Sequence, residues 1–396
     1  MNSQMKMKDK FLSELEQLKR ISQKRDLTEV EQAEQPWLYK SGKRLLNLAS
    51  NNYLGLAGHE RLKKAACVAT ETYGCGSTAS RLIVGNHPAY RLAEEALVKW
   101  KGSEAGLIFN SGYTANIGII SSLIGRDGIV FSDKLNHASI VDGIVISRAE
   151  HQRYRHNDLD HLEALLQKAP LEKNKLIVTD AVFSMDGDLA DLKGLVEVKE
   201  RYNAILMVDE AHSSGIFGPQ GQGYVHLLGL EDQVEVQMGT FSKALGCFGA
   251  YVVGKRWLID YLINKARSFI YTTALPSGIL ASITEAITLV QEGSSRRETL
   301  REHSRFFRQE LARLGFHLCG SETQIVPILV GSNEQTVLFS EKLQEMGIAA
   351  IPVRPPTVPE NQARIRFTIM ATHQRQDLAD AVARIAQVGR ELGVIQ

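Results

Sequence analysis

The chain has 396 residues, 44% of them hydrophobic, so it can bury a large core and form more than one domain. Its 46 basic and 45 acidic residues nearly cancel, which argues against a nucleic-acid partner and favours a small neutral or anionic metabolite. No apolar run approaches the ~18 residues of a membrane-spanning helix, and the cysteines lack metal-type spacing, so we expect a cytoplasmic protein without a membrane partner or a bound metal.

Residues 1–50 are predicted to form an N-terminal helical arm. Apolar residues recur at helical spacing from Phe11 to Ile21 and are interleaved with charged residues. Such a helix needs an apolar surface to cover, so we expect it to pack on the body of the protein or on a second subunit. A short strand and a turn-rich connector are predicted over residues 45–60, and a helix over residues 61–73.

Residues 74–79, GCGSTA, imitate the glycine-rich fingerprint of dinucleotide-binding proteins. That fingerprint follows a strand and opens a helix, whereas here a predicted helix precedes it. The segment is therefore interpreted as a loop whose glycines allow unusual backbone angles.

Short apolar runs alternate with helical stretches from residue 87 to about residue 254. This pattern is typical of a mostly parallel sheet with helices on its faces. Seven runs are predicted to be strands, at residues 106–109, 129–132, 152–155, 176–182, 205–208, 234–238 and 251–253. We interpret residues 51–290 as a large domain built on one sheet, with ligands bound outside the carboxyl ends of its strands.

The remainder of the chain is predicted to form a smaller α/β domain at residues 291–396. A helical region extends from residue 277 to residue 314. Three strands follow, at residues 325–330, 348–351 and 364–369, together with helices at residues 334–346 and 375–392.

Lys243 lies between small residues after an apolar run, in the stretch GTFSKALG at 239–246. A lysine amine can capture a carbonyl group as a Schiff base, although this stretch is also compatible with an ordinary surface loop. An aldehyde cofactor with an electron-withdrawing pyridine ring would need a carboxylate for its ring nitrogen. Asp209, at the end of a predicted strand, is a candidate, and a helix cap is its alternative role.

Candidates also exist for the other groups that such a cofactor needs. His212 can hydrogen-bond a phenolic oxygen, and His137 can stack on the ring, although both could be packing histidines. A phosphate needs hydroxyl groups and the N–H groups of a helix N-terminus. The sequence offers these at Ser111, Gly112, Tyr113, Thr240 and Ser242. Because the candidates follow successive strands, together they favour a cofactor site.

Five segments resemble the α-oxoamine synthases, pyridoxal 5'-phosphate enzymes of aminotransferase fold type I. These segments are NSGYTAN at 110–116, HASIVDG at 137–143, SMDGD at 184–188, DEAH at 209–212 and GTFSKALG at 239–246. The resemblance extends from about residue 45 to residue 390. It implies an α/β fold of that type, bound pyridoxal phosphate, the joining of an amino acid to an acyl thioester, and a homodimer.

The resemblance also implies roles for individual residues. Lys243 would be the Schiff-base lysine, Asp209 would pair with the pyridinium nitrogen, and His137 would stack on the ring. The phenolic oxygen would accept hydrogen bonds from His212 and Ser184. The phosphate would be held by Gly112, Tyr113, Thr240 and, from the partner subunit, Thr272.

Two further arginines are assigned to substrates by the same resemblance. Arg354 would bind the carboxylate of the amino acid, because a planar guanidinium matches a carboxylate in two parallel hydrogen bonds. Arg25, near the end of the N-terminal helix, would steer the acyl substrate.

Within the family, SRLIVGN at 80–86 and IPVRPPTVP at 351–359 resemble one branch in particular. That branch joins L-alanine to pimeloyl-CoA or a pimeloyl-carrier protein in biotin synthesis. The nearest alternative is the branch that joins glycine to acetyl-CoA. An aminotransferase and a cofactor-free binding protein are more distant alternatives.

Overall fold

The computed structural model describes residues 3–30 and 35–396. The strands, in chain order, are β1 (Trp37–Lys40), β2 (Lys43–Asn47), β3 (Ala105–Phe109), β4 (Gly128–Asp133), β5 (Glu150–Tyr154), β6 (Asn174–Asp180), β7 (Ile205–Asp209), β8 (Val236–Thr240), β9 (Ala250–Gly254), β10 (Ile325–Gly331), β11 (Ile348–Ala349), β12 (Ile351–Val353) and β13 (Ala363–Thr368). The helices are α1 (Ser3–Arg20), α2 (Glu60–Tyr73), α3 (Pro88–Lys101), α4 (Gly112–Leu123), α5 (Ala138–Ser147), α6 (Leu159–Leu166), α7 (Leu192–Arg201), α8 (Tyr224–Leu227), α9 (Arg256–Lys265), α10 (Arg267–Ile270), α11 (Ser277–Glu292), α12 (Ser294–Arg313), α13 (Asn333–Glu345) and α14 (Arg375–Glu391).

The described residues form two compact units. The larger contains Asn51–Ser184 and Leu189–Thr299, and the smaller contains the described residues up to Ser50 together with Met185–Asp188 and Leu300–Gln396. The division of the sequence at residues 50 and 290 stays a prediction.

The larger unit is built on a seven-stranded sheet with the strand order β3-β9-β8-β7-β6-β4-β5. β9 is antiparallel to both of its neighbours, and the pairs from β8 to β5 are parallel. All seven predicted strands belong to this sheet, so the prediction of a mostly parallel seven-stranded sheet is confirmed. The carboxyl ends of β4, β6, β7 and β8 therefore meet at one edge, where open α/β sheets bind ligands.

Two apolar clusters cover the two faces of this sheet. Along β6, Leu176 and Val178 belong to one cluster, and the intervening Ile177 belongs to the other. Successive strand residues point to opposite faces, so a strand buried on both sides needs an uninterrupted apolar run. Burying such side chains supplies most of the folding free energy, at about 25 cal/mol per Å².

The smaller unit contains two three-stranded sheets, β1-β2-β11 and β10-β13-β12. The sequence analysis missed β1. Ser41 and Gly42 join β1 to β2 with φ of 50° and 70°, and two left-handed residues match the twist of a tight hairpin. The predicted arm is therefore helical only as far as Arg20, and a Ser-Gly pair between two apolar stretches was the available signal for the hairpin.

The single strand predicted at residues 348–351 is wrong. β11 pairs with β2, whereas β12 pairs with β13 in the other sheet. Ala350 lies between β11 and β12. Its main-chain oxygen accepts a hydrogen bond from Ser340 Oγ at 2.8 Å and not from a neighbouring strand. Likewise, the helical region from residue 277 to 314 is divided at Gly293 into α11 and α12.

Helix α1 is amphipathic as predicted, but residues 3–30 and 35–396 leave its apolar face partly exposed. Phe11, Leu12 and Leu15 remain about half exposed, at 50%, 51% and 48%. The expectation that the helix packs on the body of its own chain is therefore wrong, and packing on a second subunit stays a prediction. No helix among residues 3–30 and 35–396 is long and apolar enough to cross a membrane.

Candidate active site

Three carboxylates end neighbouring parallel strands of the large sheet. Asp133 ends β4, Asp180 ends β6 and Asp209 ends β7. Asp180 and Asp209 lie directly opposite each other in the strand register. The sequence analysis singled out Asp209 but missed Asp180, because the strand predicted at residues 176–182 extended past it, whereas β6 ends at Asp180.

Asp209 is buried and held in place by two donors. Asn116 Nδ2 donates to Asp209 Oδ2 at 2.8 Å, and the main-chain N–H of Ala211 donates to Oδ1 at 2.9 Å. Turns follow Asp209 and the next helix starts only at Tyr224, so Asp209 is not a helix cap. A buried carboxylate fixed in this way fits the N–H of a protonated pyridine ring.

Asn116 also connects Asp209 to His137. Asn116 Nδ2 lies 2.9 Å from Ser139 Oγ, and Ser139 Oγ lies 2.7 Å from His137 Nδ1. The main-chain N–H of His137 donates to Asp180 Oδ2 at 2.8 Å. These bonds form one network around the ends of β6 and β7, and sequence reasoning missed both Asn116 and Ser139 as its members.

His137 as a whole residue is exposed. Protein atoms around its ring nevertheless desolvate it, and this burial lowers its pKa. The charge of Asp209 acts in the opposite direction, and that of Lys243 lowers the pKa further. The pKa of His137 therefore lies below its ordinary value, and the ring is neutral at neutral pH. A neutral ring suits stacking on a protonated pyridine, because it adds no second positive charge.

Asp180 has the opposite shift. Burial raises its pKa well above the ordinary range, and the neighbouring Asp209 raises it further. Two carboxylates this close in a buried site do not both ionise easily. The raised pKa therefore favours the protonated form of Asp180.

We expect Asp180→Asn to keep activity within about threefold, whereas Asp180→Ala should lose about tenfold, because only the amide retains an acceptor for the His137 N–H.

The raised pKa of Asp180 means that the folded protein binds the proton of this carboxyl group more tightly than the unfolded chain does. The resulting stabilisation is present at low pH and is lost as the pH rises. The melting temperature of the wild type should fall relative to that of Asp180→Asn as the pH rises above about 4, the ordinary pKa of an aspartate. Parallel melting profiles for the two proteins would contradict a protonated Asp180.

Lys243 lies three residues beyond the end of β8, in a compact loop, and is partly buried. Thr240 Oγ1 donates to the main-chain oxygen of Gly249 at 2.9 Å and accepts from the N–H of Ser242 at 3.2 Å. Gly246 has φ of 67°, and a Cβ there would lie 2.4 Å from the main-chain nitrogen of Ala57. The loop thus needs glycine at 246, and it leaves Ser242 as the more exposed hydroxyl beside Lys243.

The N-terminus of α4 provides the predicted phosphate donors. Ser111 caps the helix in a reciprocal arrangement with Thr114, in which each side chain binds the main-chain N–H of the other. The N–H groups of Gly112 and Tyr113 belong to the first turn, which has no acceptors within the helix. The phenol of Tyr113 donates to Asp142, so its main chain is the part that remains for a phosphate.

His212 is buried, and its Nδ1 lies 2.7 Å from the hydroxyl of Tyr53. Tyr53 in turn donates to Asn51 Oδ1 at 3.0 Å, and no sequence signal singled out this buried tyrosine. Ser184 is partly buried and lies four residues beyond the end of β6. Both predicted donors to a phenolic oxygen thus follow strands that end at the same edge.

Three predicted residues remain, namely Thr272, Arg354 and Arg25. Thr272 Oγ1 accepts from Asn110 Nδ2 of the same chain at 3.2 Å. In the smaller unit, Arg354 donates to the main-chain oxygen of Ser22. Burial lowers the pKa of Arg354 and the nearby charge of Arg25 lowers it further, so the two predicted arginines lie close together. No cluster of three or more metal-ligating side chains occurs among the described residues.

The fold and these strand-end residues define a pyridoxal-phosphate enzyme of fold type I. The profile of the family described as aminotransferase class I and II matches residues 43–385, and the chain belongs to this family. A serine palmitoyltransferase from S. paucimobilis, solved with bound PLP and myriocin, superposes with a TM-score of 0.94 at 33% identity and full coverage of both chains.

Sequence identity is higher to a group of bacterial relatives. The chain is 58% identical over 379 residues to an 8-amino-7-oxononanoate synthase from Bacillus cereus strain Q1, which covers 96% of each sequence. The 8-amino-7-oxononanoate synthase of Francisella tularensis superposes with a TM-score of 0.77 at 27% identity and covers 88% of this chain and 98% of its own. The predicted resemblance, the cofactor and the character of a PLP-dependent acyltransferase are thereby confirmed.

Proposed function

We propose that the protein condenses L-alanine with pimeloyl-CoA, or with a pimeloyl-carrier protein, to form 8-amino-7-oxononanoate. The free thiol and carbon dioxide are the other products, and the reaction belongs to biotin synthesis. The observation that carries this proposal is the 58% identity, over nearly the whole chain, to relatives of that name. The strand-end arrangement of Asp209, His137 and Lys243 supports it, because each accounts for one need of the cofactor.

Pyridoxal phosphate, when bound, supplies an aldehyde for amines and a ring that withdraws electrons from the amino-acid Cα. Lys243 Nζ would hold that aldehyde and would accept the proton of the amino-acid Cα. Lys243 lies in a loop that is braced at Thr240 and Gly246, directly after β8. Lys243 would thus act both as an anchor and as a base.

The remaining residues hold the reacting groups in place. Asp209 would accept from the ring N–H and favour its protonated form, while neutral His137 would stack on the ring. His212 and Ser184 would donate to the phenolic oxygen. The N-terminus of α4, with its Ser111 cap and the N–H groups of Gly112 and Tyr113, would bind the phosphate together with the Thr240 loop.

Substrate selection is assigned to the two arginines of the smaller unit. Arg354 binds the carboxylate of L-alanine, and Arg25 steers the pimeloyl thioester. Burial lowers the pKa of Arg354, and the charge of Arg25 lowers it further. A bound anion between the two arginines would relieve their repulsion. The working enzyme is proposed to be a cytoplasmic homodimer in which Thr272 of the partner subunit completes the phosphate site.

A product assay with crossed substrates tests the proposal. Purified enzyme is incubated with L-alanine or glycine, each against pimeloyl-CoA and acetyl-CoA, and products are identified by mass spectrometry together with released carbon dioxide. We expect L-alanine and pimeloyl-CoA to exceed the other pairs in kcat/KM by at least about 100-fold.

The main competing function is the condensation of glycine with acetyl-CoA on the same fold. That reaction retains the carboxylate of the amino acid, so carbon dioxide release separates it from the proposed reaction. A preference for glycine and acetyl-CoA without carbon dioxide release would overturn the proposal. The family and the cofactor would be unaffected by that result.

A further inference from the structure

Lys101 and Glu210, the residue directly after β7, form a fully buried ion pair. The side chains of Lys101 and Glu210 are both 0% exposed, and Lys101 Nζ lies 2.5 Å from Glu210 Oε2. The same ammonium donates to the main-chain oxygen of Gln222 at 2.5 Å. Glu210 directly follows Asp209 in the chain, yet neither charged group of the pair is used in the proposed reaction.

The second carboxylate oxygen of Glu210 is also bonded. Glu210 Oε1 accepts from Ser213 Oγ at 3.1 Å and from the main-chain N–H of Val225 at 2.9 Å. The loop that contains Gly223 approaches Glu210 so closely that a Cβ at Gly223 would lie 2.3 Å from Glu210 Oε1. Glu210 therefore fixes the path of the segment that carries Asp209 and His212.

Tyr251 connects this pair to the segment that carries Lys243. Its hydroxyl lies 2.6 Å from Ser214 Oγ. Burial opposes the charge of Lys101, but Glu210 and Tyr251 outweigh it and raise the pKa of the ammonium, so it stays charged. Tyr251 lies opposite Gly239 in the strand register, where a Cβ would lie 2.4 Å from the phenol oxygen. Lys101, Glu210 and Tyr251 thus contact both the segment that carries Asp209 and the segment that carries Lys243.

A buried ion pair is a poor source of stability, because apolar side chains of similar volume would fill the space without desolvating two charges. Charge-assisted hydrogen bonds instead fix direction, which apolar packing does not. We infer that Lys101, Glu210 and Tyr251 are positioning residues that set the spacing between Asp209 and Lys243. The inference rests on the cofactor of the family and not on the identity of the substrates.

The test is the double variant Lys101→Met/Glu210→Gln, which removes both charges and leaves the amide oxygen of the new side chain able to accept from Val225 N–H. In the holoenzyme we expect a melting temperature within about 3 °C of the wild type and a PLP Kd weakened about tenfold. The fraction of cofactor trapped on Lys243 by borohydride, read by mass spectrometry, should fall. With the substrates that the enzyme turns over, kcat should drop about tenfold and KM should stay within about twofold.

The matched control is Lys255→Met/Glu104→Gln, which removes a pair of the same kind whose side chains are each 52% exposed. It should match the wild type in every measurement. A double variant at 101 and 210 with wild-type Kd and trapping would overturn the inference.

Tyr251→Phe tests the same positioning role without depending on whether the double variant folds, since it removes only a hydroxyl group. An unchanged melting temperature with a Kd weakened about threefold would support positioning, and wild-type Kd and trapping would overturn it.

Discussion

Replacing Lys243 with alanine is expected to lower kcat by at least about 10³-fold and to remove the covalent attachment of the cofactor. The reason is that one amine serves as anchor and as base, so its loss removes two steps at once. Cofactor should still bind, because Asp209, His137 and the N-terminus of α4 are unchanged. Measurements are the steady-state rate, borohydride trapping followed by peptide mapping, and PLP affinity.

Two controls make that result specific. Lys63→Ala removes an exposed lysine of α2 that pairs with Glu60 on the same helix, and it should leave rate and trapping unchanged. Lys243→Arg keeps a positive charge but offers a group that stays protonated, so it should fail as the alanine variant does. Trapping of cofactor at another lysine, with turnover retained in Lys243→Ala, would show that the anchor had been misassigned.

Asp209→Asn is expected to lower kcat by about 10²-fold to 10³-fold with only a small change in stability. The amide keeps the size of the side chain and an acceptor for Asn116 or Ala211, but it removes the negative charge that favours a protonated ring. Exchange of the Cα hydrogen of the amino acid in deuterated water should slow in parallel, because this exchange reports the proton that Lys243 moves. Both rates are measured at saturating cofactor.

Asp232→Asn is the matched control for this change, since Asp232 is an exposed aspartate of the same unit. It should exchange the Cα hydrogen at the wild-type rate. If Asp209→Asn also exchanged at the wild-type rate, the charge of Asp209 would have no part in activating the amino acid. The assignment of Asp209 as the partner of the ring nitrogen would then be wrong.

The strands of the large sheet were predictable because each is buried on both faces. Such strands read as short apolar runs, and the polar residue after each run marks the edge where ligands bind. Asp209, His137 and residues 111–113 were found from this signal. The β1–β2 hairpin was missed although its Ser-Gly turn was a local signal. The division between β11 and β12 was missed because each of these short strands pairs with a different sheet, which local sequence does not show.

The sequence by itself determined the fold class, because strands buried on both faces read as apolar runs, and its resemblance to a known family determined the cofactor. It also predicted the residues that would face the cofactor. Only the tertiary structure decided which groups are coupled. Asn116 and Ser139 connect Asp209 to His137, and burial together with the neighbouring Asp209 raises the pKa of Asp180. Lys101 and Glu210 meet although 109 residues separate them. Such couplings depend on distance and burial, which arise only when the strands are placed side by side.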